Sequence, residues 1–315
     1  MPSPRGVPMT IRKTPLRCDV MADEISHIGV IGSGLMGSGI TEVCARAGLD
    51  VVVVEADPGA AERGRERLED SLETAARRGK ITAEEADNAL ARVRYATDFG
   101  ELADRDLVVE AITEDATAKV EVFRILDKVV ASEHAILASN TSSIPIMKLA
   151  TVTRRPEQVL GLHFFNPVPR MRLVELVTSL MTSDPVVDQA TAFVTGPLQK
   201  RVIRSQDRAG FVVNSLLIPY LLSAVRMLES GFATRDDIDA GMVEGCGHPM
   251  GPLALSDLIG LDTMQAVAES LYEEFKEPLY AAPPLLSRMV EAGLMGRKSG
   301  RGFYEYGRPA GQVGS

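Results

Sequence analysis

The spacing of apolar residues changes character near residue 206. Upstream of it, short apolar runs alternate with longer stretches of helical period. The runs HIGVI (27–31), LDVVVVEAD (49–57), DLVVEAI (106–112), HAILASN (134–140), VLGLHFF (159–165) and RLVELV (172–177) read as strands. Helical periodicity covers 35–47, where Gly48 supplies a stop, then the segment between 112 and 134, and then 184–200. QKRVIRS (199–205) reads as a closing strand. Strands alternating with helices predict an α/β fold with a parallel sheet. Residues 59–93 depart from that rhythm: two charged helical patterns, broken near Arg78-Gly79-Lys80, predict a helical hairpin inserted between strands. From Gly210 onward GFVVNSLLIPYLLSAVRMLESG is strongly apolar with helical spacing, and a kink is expected at Pro219. Shorter helices are predicted at 234–244, 253–275 and 282–293, and only the final GFYEY (302–306) reads as a strand. The polar link Ser205-Gln206-Asp207-Arg208 marks the boundary between domains at 25–208 and 209–309, with an extension at 1–24 and a tail at 310–315. The helical half carries more apolar surface than its own fold needs, which predicts a homodimer formed through helix faces.

Gly32-Ser33-Gly34-Leu35-Met36-Gly37 joins the first strand to the first helix. A GxGxxG alone is weak evidence. Here it follows a strand, opens a helix, and has Glu55 eighteen residues beyond Gly37 at the end of the next strand. The first glycine permits a tight turn, the second lets the backbone approach a pyrophosphate, and the third lets the helix pack on its strand. The helix N-terminus adds unpaired N–H groups and the positive end of its dipole. Glu55 suits ribose hydroxyls and repels a 2′-phosphate, so NAD rather than NADP is the expected cofactor. The fold class expected is an N-terminal Rossmann-type dinucleotide-binding domain with an inserted helical hairpin, followed by an all-α domain.

His163 and Glu175 lie twelve residues apart on two apolar runs, separated by NPVPRM. Fully extended, such a segment would hold the side chains roughly 40 Å apart. Pro167 and Pro169 cannot donate ladder hydrogen bonds, so the strand breaks there; if the chain reverses, the two side chains meet. A carboxylate beside an imidazole fixes its tautomer and stabilises the imidazolium, which makes the histidine a general base near neutral pH. Singly, a histidine in an apolar strand is more often a satisfied core residue and a glutamate in LVELV an edge residue. Together, downstream of a nucleotide-binding signature, they form a candidate catalytic dyad.

Composition narrows the rest. Apolar residues make up 45% of the 315 and charged residues 24%, the profile of a globular protein with a full core. A net charge of −9 and a pI near 5.1 argue against nucleic acid as partner. No apolar run approaches the roughly 20 residues that span a bilayer, so no membrane association is expected. Cys18, Cys44 and Cys246 show no paired spacing, which suits a reduced, cytoplasmic protein, and Cys44 reads as core filler. The histidines at 27, 134, 163 and 248 have no ligand spacing, so no metal is expected. Residues 1–24 carry three prolines in their first eight positions and lack an apolar signal segment; they read as a disordered extension.

Seven ordered motifs, VIGSGLMGSGI, VVEAITED, SNTSSIPI, GLHFFNPVPRMRLVELV, DRAGFVVN, HPMGPLALSDLIGLDT and GRKSGRGFYEY, resemble those of the short-chain L-3-hydroxyacyl-CoA dehydrogenases across residues 26–306. The bacterial 3-hydroxybutyryl-CoA dehydrogenases are the nearest type. The resemblance implies an NAD-dependent oxidoreductase acting on an acyl-CoA. It makes His163 the base, Glu175 its orienting partner, and Ser142 and Asn214 the groups that place the substrate. Besides the glycine loop with Leu35 and Met36, and Glu55, it implies cofactor contacts at Glu110, Asn140, Ser142, Asn166 and Lys298. Coenzyme A would be held by Ser71 and Arg78 in the hairpin, with Ser142 at the acyl end; Arg78 stands where the family often has lysine. Asp115 stands where other members carry asparagine.

Two rival readings are open at this point. A β-hydroxyacid dehydrogenase of the 6-phosphogluconate type would use a lysine base, and the nearest lysine to the motif, Lys148, follows SNTSSIPI rather than HFFNP. A non-catalytic NAD-binding protein would have no reason to keep both His163 and Glu175. Acyl-chain preference is open as well, from 3-hydroxybutyryl-CoA to longer or carboxylated chains such as 3-hydroxyadipyl-CoA.

Overall fold

A computed structural model describes residues 25–307; the expected extension at 1–24, with Cys18, and the tail at 310–315 lie outside them. In chain order the elements are β1 (His27–Ile31), α1 (Leu35–Arg46), β2 (Asp50–Val54), α2 (Pro58–Arg77), α3 (Ala83–Leu90), β3 (Val93–Ala96), β4 (Leu107–Glu110), α4 (Ala116–Val129), β5 (Ile136–Ser139), α5 (Ile146–Ala150), β6 (Val159–Phe164), β7 (Leu173–Thr178), α6 (Asp184–Thr195) and β8 (Arg201–Gln206). The helical half follows with α7 (Val213–Glu229), α8 (Arg235–Cys246), α9 (Pro252–Ile259), α10 (Leu261–Phe275) and α11 (Pro284–Glu291).

The eight strands form one sheet in the order β3-β2-β1-β4-β5-β6-β7-β8. All neighbours are parallel except β6 and β7, which pair antiparallel. The order reverses its direction of growth between β1 and β4, so the loops after those strands diverge and leave a crevice, the usual ligand position in such sheets. The central strands are buried along nearly their whole length because helices cover both faces. Cys44 lies in that core, where burial pushes its thiol up to about 12.

The α/β fold with a helical second half is as the periodicity predicts, and three elements differ. Residues 93–96, VRYA, form β3, which pairs parallel with β2. The helical hairpin α2–α3 is therefore the crossover between these two strands. A four-residue edge strand holding Arg94 has no apolar run to betray it. The stretch 253–275 is two helices, not one, because Gly260 adopts φ +101° between α9 and α10. GFYEY makes only isolated bridges. Its donors go to a carboxylate instead: Asp257 accepts the amides of Phe303 and Tyr304, each at 2.9 Å, and the Tyr306 hydroxyl at 3.0 Å. The helix α7 runs through Pro219. Leu221, Leu222, Leu253, Leu261, Met264 and Leu271 are the centre of the second core. Among the described residues no helix is long and apolar enough to cross a membrane.

Candidate active site

The glycine loop takes the form the motif requires, with a separate job for each glycine. Gly32 has φ +88°, and a Cβ there would meet the Ala111 carbonyl oxygen at 2.8 Å. A Cβ on Gly37 would stand 1.8 Å from the Gly32 carbonyl oxygen, so α1 can start this close to β1 only without a side chain. Nothing lies within 4 Å of the corresponding point at Gly34. That open backbone at the N-terminus of α1 is room for a dinucleotide pyrophosphate, and the residues present fit NAD. Glu55 lies beside the loop: its carboxylate accepts Ser33 Oγ at 2.7 Å and the Ser33 amide.

The chain does reverse at the prolines. β6 and β7 pair so that His163 stands directly opposite Glu175, and in an antiparallel pair opposed side chains share a face. His163 Nδ1 and Glu175 Oε2 are 2.7 Å apart. The carboxylate is 0% exposed. Its second oxygen accepts the amides of Val212 at 3.0 Å and Val213 at 2.9 Å, at the start of α7. The imidazole is thus oriented by a carboxylate that the helical half of the chain also holds. Phe165 and Phe211 pack edge-on against the imidazole, with centroids at 4.7 and 5.5 Å. With Nδ1 engaged, Nε2 is left for a substrate. The turn itself is pinned from below by Lys200, whose ammonium donates to the carbonyls of Val168 at 2.7 Å and Met171 at 2.6 Å. Burial, helped by Arg46, holds that ammonium below the usual lysine range.

Across the crevice lies a polar cluster built on β4 and α4. Glu110, at 0% exposure, accepts Lys119 Nζ at 2.8 Å, the Ile112 amide at 2.8 Å and Ser139 Oγ at 2.6 Å. Lys119 also pairs with Glu114 at 3.0 Å. Glu114 in turn grips the SNTSS loop: one of its oxygens accepts the Ser142 amide at 3.0 Å, the Ser143 amide at 3.1 Å, Ser143 Oγ at 2.9 Å and the Thr141 hydroxyl. Burial works against this charge, yet Lys119 and the hydroxyls win, and the Glu114 carboxyl stays below the usual carboxylate range.

These elements surround a cleft of about 930 Å³. Gly34, Leu35, Met36, Asn140, Ser142, His163, Asn166 and Asn214 line it, which brings together most of the residues singled out in the sequence. Asn140 is fixed by accepting the Phe164 amide at 2.8 Å. Gly32, Gly37 and Glu55 lie in or beside the glycine loop without lining the cleft, and four further expected contacts are placed elsewhere. Glu110 is closed off behind the wall with three donors on its carboxylate. Lys298 is bonded to Asp262 and does not line the cleft. Ser71 donates to Glu42 Oε2 at 2.6 Å, and Arg78 is exposed at the C-terminal end of α2; neither lines the cleft. Asp115 caps α4 by accepting the Ala118 amide at 2.7 Å.

Sequence reasoning missed Glu114, Lys119, Arg170 and the apolar wall of Leu217, Ile218, Leu255 and Val267, all of which line the cleft. For Lys119 a signal existed. With Val122, Phe123 and Leu126 it occupies the buried face of α4, where a solvated lysine does not belong.

The chain matches the family models described as 3-hydroxyacyl-CoA dehydrogenase, NAD binding domain, over residues 27–208 and 3-hydroxyacyl-CoA dehydrogenase, C-terminal domain, over residues 210–306. It is 56% identical to the 3-hydroxybutyryl-CoA dehydrogenase of Mycobacterium tuberculosis over 286 residues, covering 91% of this chain and all of that one. It is 40% identical to the human mitochondrial hydroxyacyl-coenzyme A dehydrogenase over 289 residues, covering 90% and 91% of the two chains. Among solved structures, M. tuberculosis FadB2 superposes with a TM-score of 0.90 at 56% identity, over 90% of this chain and all of that one. The (S)-3-hydroxybutyryl-CoA dehydrogenase of Ralstonia eutropha gives 0.86 at 44% identity over the same shares.

Proposed function

The chain belongs to the 3-hydroxyacyl-CoA dehydrogenase family, and from that premise we propose that it interconverts (3S)-3-hydroxybutyryl-CoA and acetoacetyl-CoA with His163 as general base. It is an oxidoreductase and its cofactor is NAD. When bound, NAD supplies the hydride acceptor. His163 Nε2 removes the proton of the 3-hydroxyl, and Glu175 stabilises the imidazolium that results. Ser142 and Asn214, which both line the cleft, hold the hydroxyl and thioester oxygens. The apolar wall from α7, α9 and α10 excludes water from the acyl group. In the reductive direction the same imidazolium returns its proton.

The observation that carries this reading is the His163–Glu175 pair opening onto the cleft beside the glycine loop. A lysine-based mechanism fits less well: Lys148 is exposed on α5, and the one lysine among the cleft-lining residues, Lys119, is held by two carboxylates. Acetoacetyl-CoA-dependent oxidation of NADH is the deciding assay; NADH binding without turnover would leave a cofactor-binding protein and no enzyme. A C4 to C16 acyl series then sets chain preference, with longer and carboxylated chains such as 3-hydroxyadipyl-CoA as the alternative. Glu55 at the end of β2 favours NAD(H) over NADP(H), since a carboxylate repels a 2′-phosphate. Glu55→Ser should narrow the ratio of kcat/KM for the two cofactors, and a ratio near one in the unsubstituted enzyme would refute the assignment.

We further read the enzyme as a cytoplasmic homodimer that pairs through its helical half, which exposes Leu216 and Phe232 at 73% and 80%. Sedimentation measures the oligomeric state directly.

A further inference from the structure

Four ionisable side chains line the cleft: Glu114, Lys119, His163 and Arg170. Three are engaged, Glu114 with Lys119 and His163 with Glu175. The Arg170 guanidinium has no partner among the described residues. An exposed arginine ordinarily signals nothing. Two observations set this one apart.

The first is that its backbone is rigidly placed. The Arg170 amide donates to the Pro167 carbonyl at 3.0 Å, and Lys200 clamps the carbonyls of Val168 and Met171 on either side. Val168 packs so closely on α1 that a Cβ at Gly39 would stand 2.8 Å from the Val168 Cβ. Three residues along the same helix, Glu42 accepts Ser71 Oγ of α2. Helix α1 thus contacts both the proline turn that carries Arg170 and the helical hairpin.

The second is charge. Lys119 is shared between Glu110 and Glu114, so Arg170 is the cation lining the cleft that no carboxylate among the described residues neutralises. Arg172 and Arg201, joined through their main chains at 2.7 Å, continue the positive edge past the turn; both are exposed and neither side chain has a partner among the described residues. Unpaired cations at the edge of a cleft draw anions, and a guanidinium matches phosphate with two parallel donors.

An acyl-CoA carries its phosphates at the far end of the pantetheine arm. With the acyl group between His163 and the apolar wall, the nucleotide end has to leave through the mouth of the cleft. We propose that Arg170 binds a phosphate of the coenzyme A nucleotide and so selects for the carrier rather than for the acyl chain. The proposal rests on the assignment of a 3-hydroxyacyl-CoA as substrate. The competing source of the same chemistry, the pyrophosphate of NAD, has its own place at Gly34.

Steady-state kinetics on the full chain separate the two. Arg170→Met should raise KM for acetoacetyl-CoA about tenfold, with kcat within about twofold. KM for NADH should not move, and kcat/KM for the N-acetylcysteamine thioester of acetoacetate, which lacks the nucleotide, should be unchanged. Arg170→Lys should recover most of the loss. A rise in KM for NADH would transfer the guanidinium to the dinucleotide, an equal loss on both thioesters would reduce its role to the shape of the turn, and no change at all would remove it from the site; each overturns the proposal. Inactivity of the unsubstituted enzyme on both thioesters would instead overturn the substrate assignment beneath it.

Discussion

Glu110 and Glu175 are both fully buried carboxylates on the same sheet, and each holds one basic side chain, Lys119 at 2.8 Å and His163 at 2.7 Å. Each also takes donors from other segments: Glu110 takes Ser139 Oγ and the Ile112 amide, and Glu175 takes the amides of Val212 and Val213. What differs is the atom left over. The Lys119 ammonium is shared between Glu110 and Glu114, and the carboxylates around it are saturated by the SNTSS loop and β5. An imidazole bonded through Nδ1 keeps Nε2 for the cleft. The same kind of buried pair is a strut when every atom is engaged, and where one atom is left open it offers the reaction centre proposed above.

Substitution at the open atom should have the largest effect on turnover. His163→Gln should lower kcat by about 10²–10⁴-fold, the usual contribution of a general base, while NADH still binds. Fluorescence titration with NADH separates the two quantities; a matching loss of NADH affinity would make His163 a strut as well. On the other side, Lys119→Met should cost about 3–5 kcal/mol of stability, because it leaves two carboxylates facing each other without their cation. Urea unfolding measures this, and a cost below about 1 kcal/mol would mean that the cluster relaxes and holds nothing.

The finest test divides the dyad itself. Glu175→Gln keeps the shape and one hydrogen bond but removes the anion, so kcat should fall less than in His163→Gln. If kcat stays where it was, the contact is one of packing and the contrast with Glu110 collapses.

Legibility in the sequence followed from whether a contact is made by residue types or by the main chain. His163 and Glu175 were readable because two apolar strands and the intervening prolines fix a hairpin, and period-two alternation then fixes the shared face. The amides of Val212 and Val213 on Glu175 were not, since a main-chain donor has no letter of its own. The loop-gripping role of Glu114 was hidden for the same reason, as two of its four donors on one oxygen are amides. β3 was lost to its length, and GFYEY was misread as a strand because a side chain, Asp257, takes the place of a neighbouring strand. Ser71 and Arg78 came from likeness alone; Ser71 is bonded to Glu42, and Arg78 stands clear of the cleft.

The two amides that hold Glu175 belong to the first turn of the second domain, thirty-seven and thirty-eight residues further along the chain. A nascent chain that has completed its sheet but not yet seated α7 carries the catalytic carboxylate with only one of its three donors. The full set of donors on Glu175 therefore exists only when both halves are in register. Chimeras that exchange the helical half must carry the Phe211–Val213 junction intact, because the seam between the modules runs through the contacts that hold Glu175 and His163.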